Sequence, residues 1–153
     1  MKFRELPVVC ITVSIYQLVI RKLRFSNKML GRKIDLEDGE YTIFRHVFHD
    51  KKNTNKVGCN FLVSFKFSHL SHRMNQLTSI IPMLMITGFP GFLSKIYAVN
   101  EQNGNWTGIY QWSSKSHLEK YKKSFVFRTM KKRAIPDTLI MELLENDVLK
   151  EIR

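Results

Sequence analysis

Lys95 and Tyr97 stand two apart, as do Tyr110 and Trp112, and in an extended chain residues two apart project from the same face. Between the pairs lies Asn103-Gly104, the kind of dipeptide that tolerates positive φ at both centres of a type I′ hairpin turn. With that pair as the turn, Lys95 faces Trp112, Tyr97 faces Tyr110 and Val99 faces Gly108. The four polar-aromatic side chains then share one face, and Ile96, Ala98, Ile109 and Gln111 share the other. An amine on such a face stabilises an oxyanion, while the rings stack on a flat ligand. The same residues also read as ordinary cross-strand packing, with the lysine stem reaching solvent.

Histidines supply the other candidates. His69 and His72 are three apart at the junction of a strand and a helix, where they can share a helix face. Each is a candidate general base, ligand contact or haem ligand, or else an exposed or capping histidine. His46 and His49 are also three apart, but a strand turns them to opposite faces. No third ligand accompanies either pair, so the spacing argues against zinc. Cys10 and Cys59 follow neither metal-ligand nor redox spacing, which points to two free thiols in an intracellular protein. There is no nucleophile elbow, phosphate-binding glycine loop or dinucleotide fingerprint.

The elements that would position these groups are readable from residue 59 onward. Cys59–Ser68 alternates, with Phe61, Val63, Phe65 and Phe67 on one face, and predicts a strand. Ser68 or Ser71 is placed to cap a following helix, in which Met74, Leu77, Ile80 and Ile81 form the expected buried stripe. Pro82 should end or kink that helix, leaving 83–92 as an apolar loop into the hairpin. Ser114 or Ser116 opens a second helix running to about Arg133, with Leu118, Tyr121 and Phe125 inward. Thr138–Leu144 follows Pro136 as a last strand. The order is β-α-β-β-α-β, an α+β ferredoxin-like arrangement with a four-stranded antiparallel sheet. The apolar second face of that sheet needs a cover, which a homodimer packed face to face would provide.

The run Gly88-Phe-Pro-Gly-Phe-Leu-Ser-Lys-Ile-Tyr97, then Gly108-Ile-Tyr-Gln-Trp112, then His117-Leu-Glu-Lys-Tyr121 resembles the dimeric α+β barrel superfamily. Within it the chain is most similar to small monooxygenase-like proteins, over roughly residues 59–144. The resemblance implies homodimers with a pocket between sheet and helices. It implies an oxygenase chemistry without metal or cofactor, in which a bound, deprotonated, electron-rich substrate itself reacts with oxygen. Some members degrade haem and many have no assigned activity. Carried onto this chain, Lys95 and His72 are the catalytic candidates. Tyr97, Tyr110, Trp112, Phe65 and His69 are the candidates for binding a bulky apolar or aromatic molecule. The runner-up is a non-catalytic ligand-binding or membrane-associated interaction protein on the same scaffold.

Residues 1–56 stand apart from the domain expected over 57–153. Leu6–Ile20 is apolar apart from Thr12, Ser14 and Gln17, and no acid occurs from residue 6 to residue 34. The stretch is short for a membrane span and lacks a signal-peptidase site. An interfacial helix with the following Arg/Lys cluster on an anionic membrane fits best, over residues 6–33. A helix packed on its own domain is the alternative. Asp38-Gly39 marks a turn and Glu40–Phe48 a further strand, followed by a polar loop over 50–56. The formal net charge is +12, which invites a test for nucleic acid. A base-stacking strand motif of the Lys/Arg-Gly-Phe type is absent, so that partner is not expected.

Overall fold

The computed structural model describes residues 3–50, 57–67, 71–144 and 152. One mixed-length antiparallel sheet carries the molecule. Its strands are β1 (Leu23–Phe25), β2 (Lys33–Leu36), β3 (Gly39–His49), β4 (Cys59–Phe65), β5 (Phe92–Val99), β6 (Trp106–Trp112) and β7 (Ile140–Leu144). They lie in the order β1-β3-β5-β6-β4-β7, with β2 also on β3. The last four positions, β5-β6-β4-β7, are the ferredoxin-like core. β3 adds to the free edge of β5, and β1 and β2 add to β3. Residues ahead of the core therefore extend its sheet with three strands, where the sequence reading expected one.

The helices pack on one face: α1 (Pro7–Val19), α2 (His72–Thr78), α3 (Ile80–Thr87), α4 (Lys115–Lys123) and α5 (Phe125–Arg133). Beneath them lies a core that includes Phe61, Val63, Met83, Trp112, Tyr121 and Phe127. The opposite sheet face buries Leu62, Ile96, Ala98 and Ile109 against Ile34, Tyr41 and Ile43, with Met29, Leu36, Leu144 and Ile152 packed on them. Segments of the same chain thus cover the face for which a second copy was invoked. Among the described residues no helix is long and apolar enough to cross a membrane.

Three details depart from the sequence reading. The hairpin turn is not a two-residue turn at Asn103-Gly104. Asn100 Oδ1 accepts from the backbone N–H groups of Gln102 and Asn103, and Gly104 N–H donates to Asn100 O at 2.9 Å. This makes a longer loop in which Gly104 alone takes positive φ, +76°. Lys95 consequently pairs with Tyr110, Tyr97 with Gly108 and Val99 with Trp106. The shift is two residues, so it leaves every side chain on its expected face; a shift of one would have reversed them.

The second departure concerns the helices. Pro82 neither ends nor kinks one: it sits in the first turn of α3, where no backbone donor is needed. The break comes earlier, at Ser79. The third is facing. Met74, Leu77, Ile80 and Ile81 are exposed, and Asn75, Ser79, Met83 and Ile86 face inward. A break at Ser124 likewise re-phases the second helical stretch. Ser124 Oγ accepts from Phe127 N–H, which buries Val126, Phe127 and Met130 and leaves Phe125 outside.

α1 runs antiparallel to α3 at very short range. Ser14 Oγ donates to Leu84 O at 2.5 Å and bonds Thr87 Oγ1 at 2.8 Å. A Cβ on Gly88 would lie 1.9 Å from Cys10 O, so only glycine permits this approach. Gly88→Ala should lower stability by about 3 kcal/mol, the upper end for overpacking, read as a fall in unfolding midpoint in denaturant. An unchanged midpoint would show that α1 does not pack there.

Candidate functional site

Lys95 occupies the centre of β5, on the helix-facing side of the sheet, and is 5% exposed. Its Nζ donates to Tyr110 Oη at 2.7 Å and lies 4.0 Å from the Tyr97 ring centroid and 4.2 Å from that of Tyr110. Amine over ring is a favourable cation–π arrangement, stronger where water is excluded. No carboxylate pairs with it among the described residues. Burial, and then the nearby Arg45 charge, hold its pKa well below the ordinary lysine value. Burial pushes Tyr97 and Tyr110 upward, so both phenols stay protonated.

Gly108 makes room for this arrangement. A Cβ there would come within 2.9 Å of Lys95 Cε and 3.0 Å of Tyr110 Cε2. The requirement is space, since its backbone is ordinary extended strand. The Gly-Ile-Tyr spacing of β6 thus places a gap opposite Tyr97 and a hydroxyl opposite Lys95.

A cavity of about 40 Å³ opens beside the amine, lined by Phe65, Lys95, Tyr97, Trp106, Thr107, Gly108, Tyr110, Met130 and Arg133, with Ser79, Pro82 and Ile86 above. That is room for a few waters, well short of the several hundred Å³ of a drug-sized site. Tyr97 Oη has no hydrogen-bond partner although it is buried, so this wall of the cavity carries an unused donor.

Two arginines hold the roof, and sequence reasoning missed both. Arg45 on β3 donates to Ser79 Oγ at 2.8 Å and Gln76 O at 3.0 Å. Arg133 at the end of α5 donates to Thr78 Oγ1 at 2.7 Å and lies 4.8 Å from the Phe67 ring centroid. Both bind the C-terminal end of α2, where unpaired carbonyls favour cations. Burial lowers the pKa of each. Lys95 and Arg133 therefore line a cavity that has no acid among its described lining residues, and Arg45 stands behind Ser79 and Tyr97, an environment suited to an anionic or acidic ligand.

The other sequence candidates fall elsewhere. Phe65 lines the cavity. Trp112 does not: it is packed among Phe89, Phe92 and Tyr121. His72 also stands outside, exposed on α2, where its Nδ1 accepts from Trp106 Nε1 at 3.0 Å. It can orient Trp106 but does not reach the cavity. His69 lies outside the described residues. His46 stacks on Phe48, while His49 lies against Thr87 O. No cluster of His, Cys, Asp or Glu that could hold a metal occurs among the described residues.

A family model described as putative mono-oxygenase ydhR matches residues 59–142. None of the curated proteins matches the chain. Among solved structures, a ferredoxin-fold protein from Listeria monocytogenes, related to antibiotic biosynthesis monooxygenases, aligns at 12% identity and TM-score 0.51, covering 84% of this chain and 85% of that one. A monooxygenase-like protein from Listeria innocua aligns at 9% identity and TM-score 0.52, covering 84% of each. At such identities these two show the fold alone.

Lys95 leaves a signature in the pH dependence of stability. Its unfolded-state value is near 10.5 and its folded value lies well below, so in that window the unfolded chain binds the extra proton and stability rises with pH. The raised tyrosines act oppositely, but only above about pH 10. Denaturant titrations should therefore show wild type gaining stability relative to Lys95→Met from neutral pH up to that point. Parallel curves would mean the amine is not desolvated.

Proposed function

The chain belongs to the putative mono-oxygenase ydhR family, and we propose that it oxygenates an electron-rich aromatic or enolic molecule at the Lys95 cavity without a cofactor. The observation that carries this reading is a buried amine held between two tyrosine rings with no carboxylate partner among the described residues. As a neutral base, Lys95 takes the proton of a phenol or enol bound beside it. The resulting ammonium stays between the rings and faces the substrate oxyanion, a pair that excluded water strengthens. Tyr97 Oη supplies a donor, and Phe65 and Trp106 offer apolar walls to a ring system.

The deprotonated substrate is the reductant. It reacts with dioxygen at carbon. One oxygen atom remains there as a carbonyl, and the other leaves as water with the two hydrogens that the substrate loses. No external electron donor enters the balance. A ligand of that size requires the α2–α3 roof to move, because the closed cavity is about 40 Å³. The small closed volume also favours a second reading, ligand capture without turnover.

Self-association is proposed at a different place from the covered sheet face. β7 ends the sheet and exposes Ile140, Met141 and Leu143, an apolar edge of the kind that pairs with another strand. Micromolar sedimentation should give a dimer that Met141→Lys converts to monomer. A monomeric wild type would remove the proposal.

Oxygen uptake with quinol-like substrates tests the chemistry. Lys95→Ala should lower the rate by roughly 100-fold, as expected for loss of a base and oxyanion partner. Trp112→Phe, in the core away from the cavity, should leave the rate within about twofold and lower the unfolding midpoint instead, as loss of core volume does. Substrate binding by wild type with no oxygen uptake would favour the non-catalytic reading. Equal rates in wild type and Lys95→Ala would exclude Lys95 from the mechanism.

A further inference from the structure

α1 is built with its polarity reversed. Its inward residues include Cys10, Ser14 and Gln17, and Ser14 is spent on Leu84 and Thr87. Its outward stripe is Val8, Thr12, Ile15 and Val19, at the i, i+4, i+7, i+11 spacing of one helix face. Val8 and Val19 are each 74% exposed. Thr12, the polar member of the stripe, turns its hydroxyl back to Val8 O at 2.9 Å, so the stripe presents little that needs water. α2 also exposes an apolar residue, Leu77 at 56%, over an inward Asn75, while α3 exposes Ile81 at 59% although Met83 and Ile86 fill its inner side.

Ser14 meets Leu84 and Cys10 meets Gly88, so α1 meets α3 through its inward side and leaves the Val8–Val19 stripe facing away. Neither the cavity beside Lys95 nor the cleft beside the Gly88–Gly91 loop is lined by these outward residues, although Arg4 and Lys22, at the two ends of α1, border that cleft. The surface is helical and apolar.

Charge decides what it fits. Arg4 precedes α1, and Arg21 and Lys22 follow it, with no acid from residue 6 to residue 34. Arg21 and Lys22 enter none of the ion pairs among the described residues. A second copy would bring like charges together around this face, in a chain already at +12. An anionic lipid surface offers both an apolar layer for Val8, Ile15 and Val19 and phosphates or carboxylates for the basic ends. We infer that the outward face of α1 docks the protein on an anionic membrane surface without spanning it.

The test is co-sedimentation of the full chain with phosphatidylcholine vesicles and with vesicles of three parts phosphatidylcholine to one part phosphatidylserine. Wild type should pellet with the second and poorly with the first. Val8→Ser with Val19→Ser should reduce partition on the order of tenfold by removing apolar contact. Arg21→Glu with Lys22→Glu should reduce it similarly through charge. The substituted residues are exposed, so unchanged unfolding midpoints in both variants would establish that the fold is intact. Failure of wild type to bind either vesicle overturns the inference, as does binding that both variants retain in full. Loss of a wild-type self-association in Val8→Ser with Val19→Ser, without vesicle binding, would assign the face to a second copy instead. Oxygen uptake is read separately, so failure of membrane binding is distinct from failure of the oxygenase reading.

Discussion

Burying an amine with no carboxylate partner among the described residues constrains the centre of this molecule. An isolated ammonium in an apolar interior is costly, and the group ordinarily responds by losing its proton or finding a partner. Lys95 has the Tyr110 hydroxyl, two ring faces and Arg45 nearby, a neighbour that opposes its charge. The surrounding features serve that placement: Gly108 leaves the space, Tyr97 and Tyr110 supply the faces, and the α2–α3 roof excludes water. A residue so disposed is poised to change protonation state when an acidic ligand arrives.

The roof is a balance of a different kind. α2 is a single short helix whose C-terminal end is held by Arg45 from β3 and by Arg133 from α5, through Gln76 O and the Thr78 and Ser79 hydroxyls. Few apolar contacts hold α2, because its large side chains point outward. Polar bonds at one end, with little burial, describe an element of low local stability, the kind that moves when ligands enter. The cavity is small in the closed form for that reason: the clamp sets the roof height.

The sequence was readable where period and fold agree. Phe61, Val63 and Phe65 alternate with Leu62 and Ser64, and β4 follows that pattern. The hairpin was placed but its register was not, because Asn100 captures the turn with its own side chain and moves the loop centre away from Asn103-Gly104. Periodicity located the helices without saying which face looks inward. A stripe at positions 74, 77, 80 and 81 reads as core, and here the hydrogen bonds of Ser79 and Arg45 draw the other side in. Arg45 and Arg133 were invisible for a related reason. Their partners are carbonyls and hydroxyls of α2, distant in sequence, and no side-chain spacing signals them. Ser124 could have been found, since a serine before Phe-Val-Phe is a helix-cap candidate.

Two surfaces lie on one pair of short helices. Ser79, Pro82 and Ile86 look down into the cavity, while Leu77, Ile80 and Ile81 look out. These residues alternate along the same two short helices. Any displacement of α2–α3 that enlarges the space beside Lys95 must also move the outward apolar surface, and packing of that surface against another apolar phase must act on the roof. α1 sets the limit of such movement, since the Cys10–Gly88 approach and the Ser14 bonds to Leu84 and Thr87 pin the far end of α3. The free end is the α2 end, which is where the arginine clamp sits. Release of Arg45 and Arg133 frees the α2 end at the cost of hydrogen bonds at a helix terminus, whereas α3 itself is held by Met83 and Ile86 in the core.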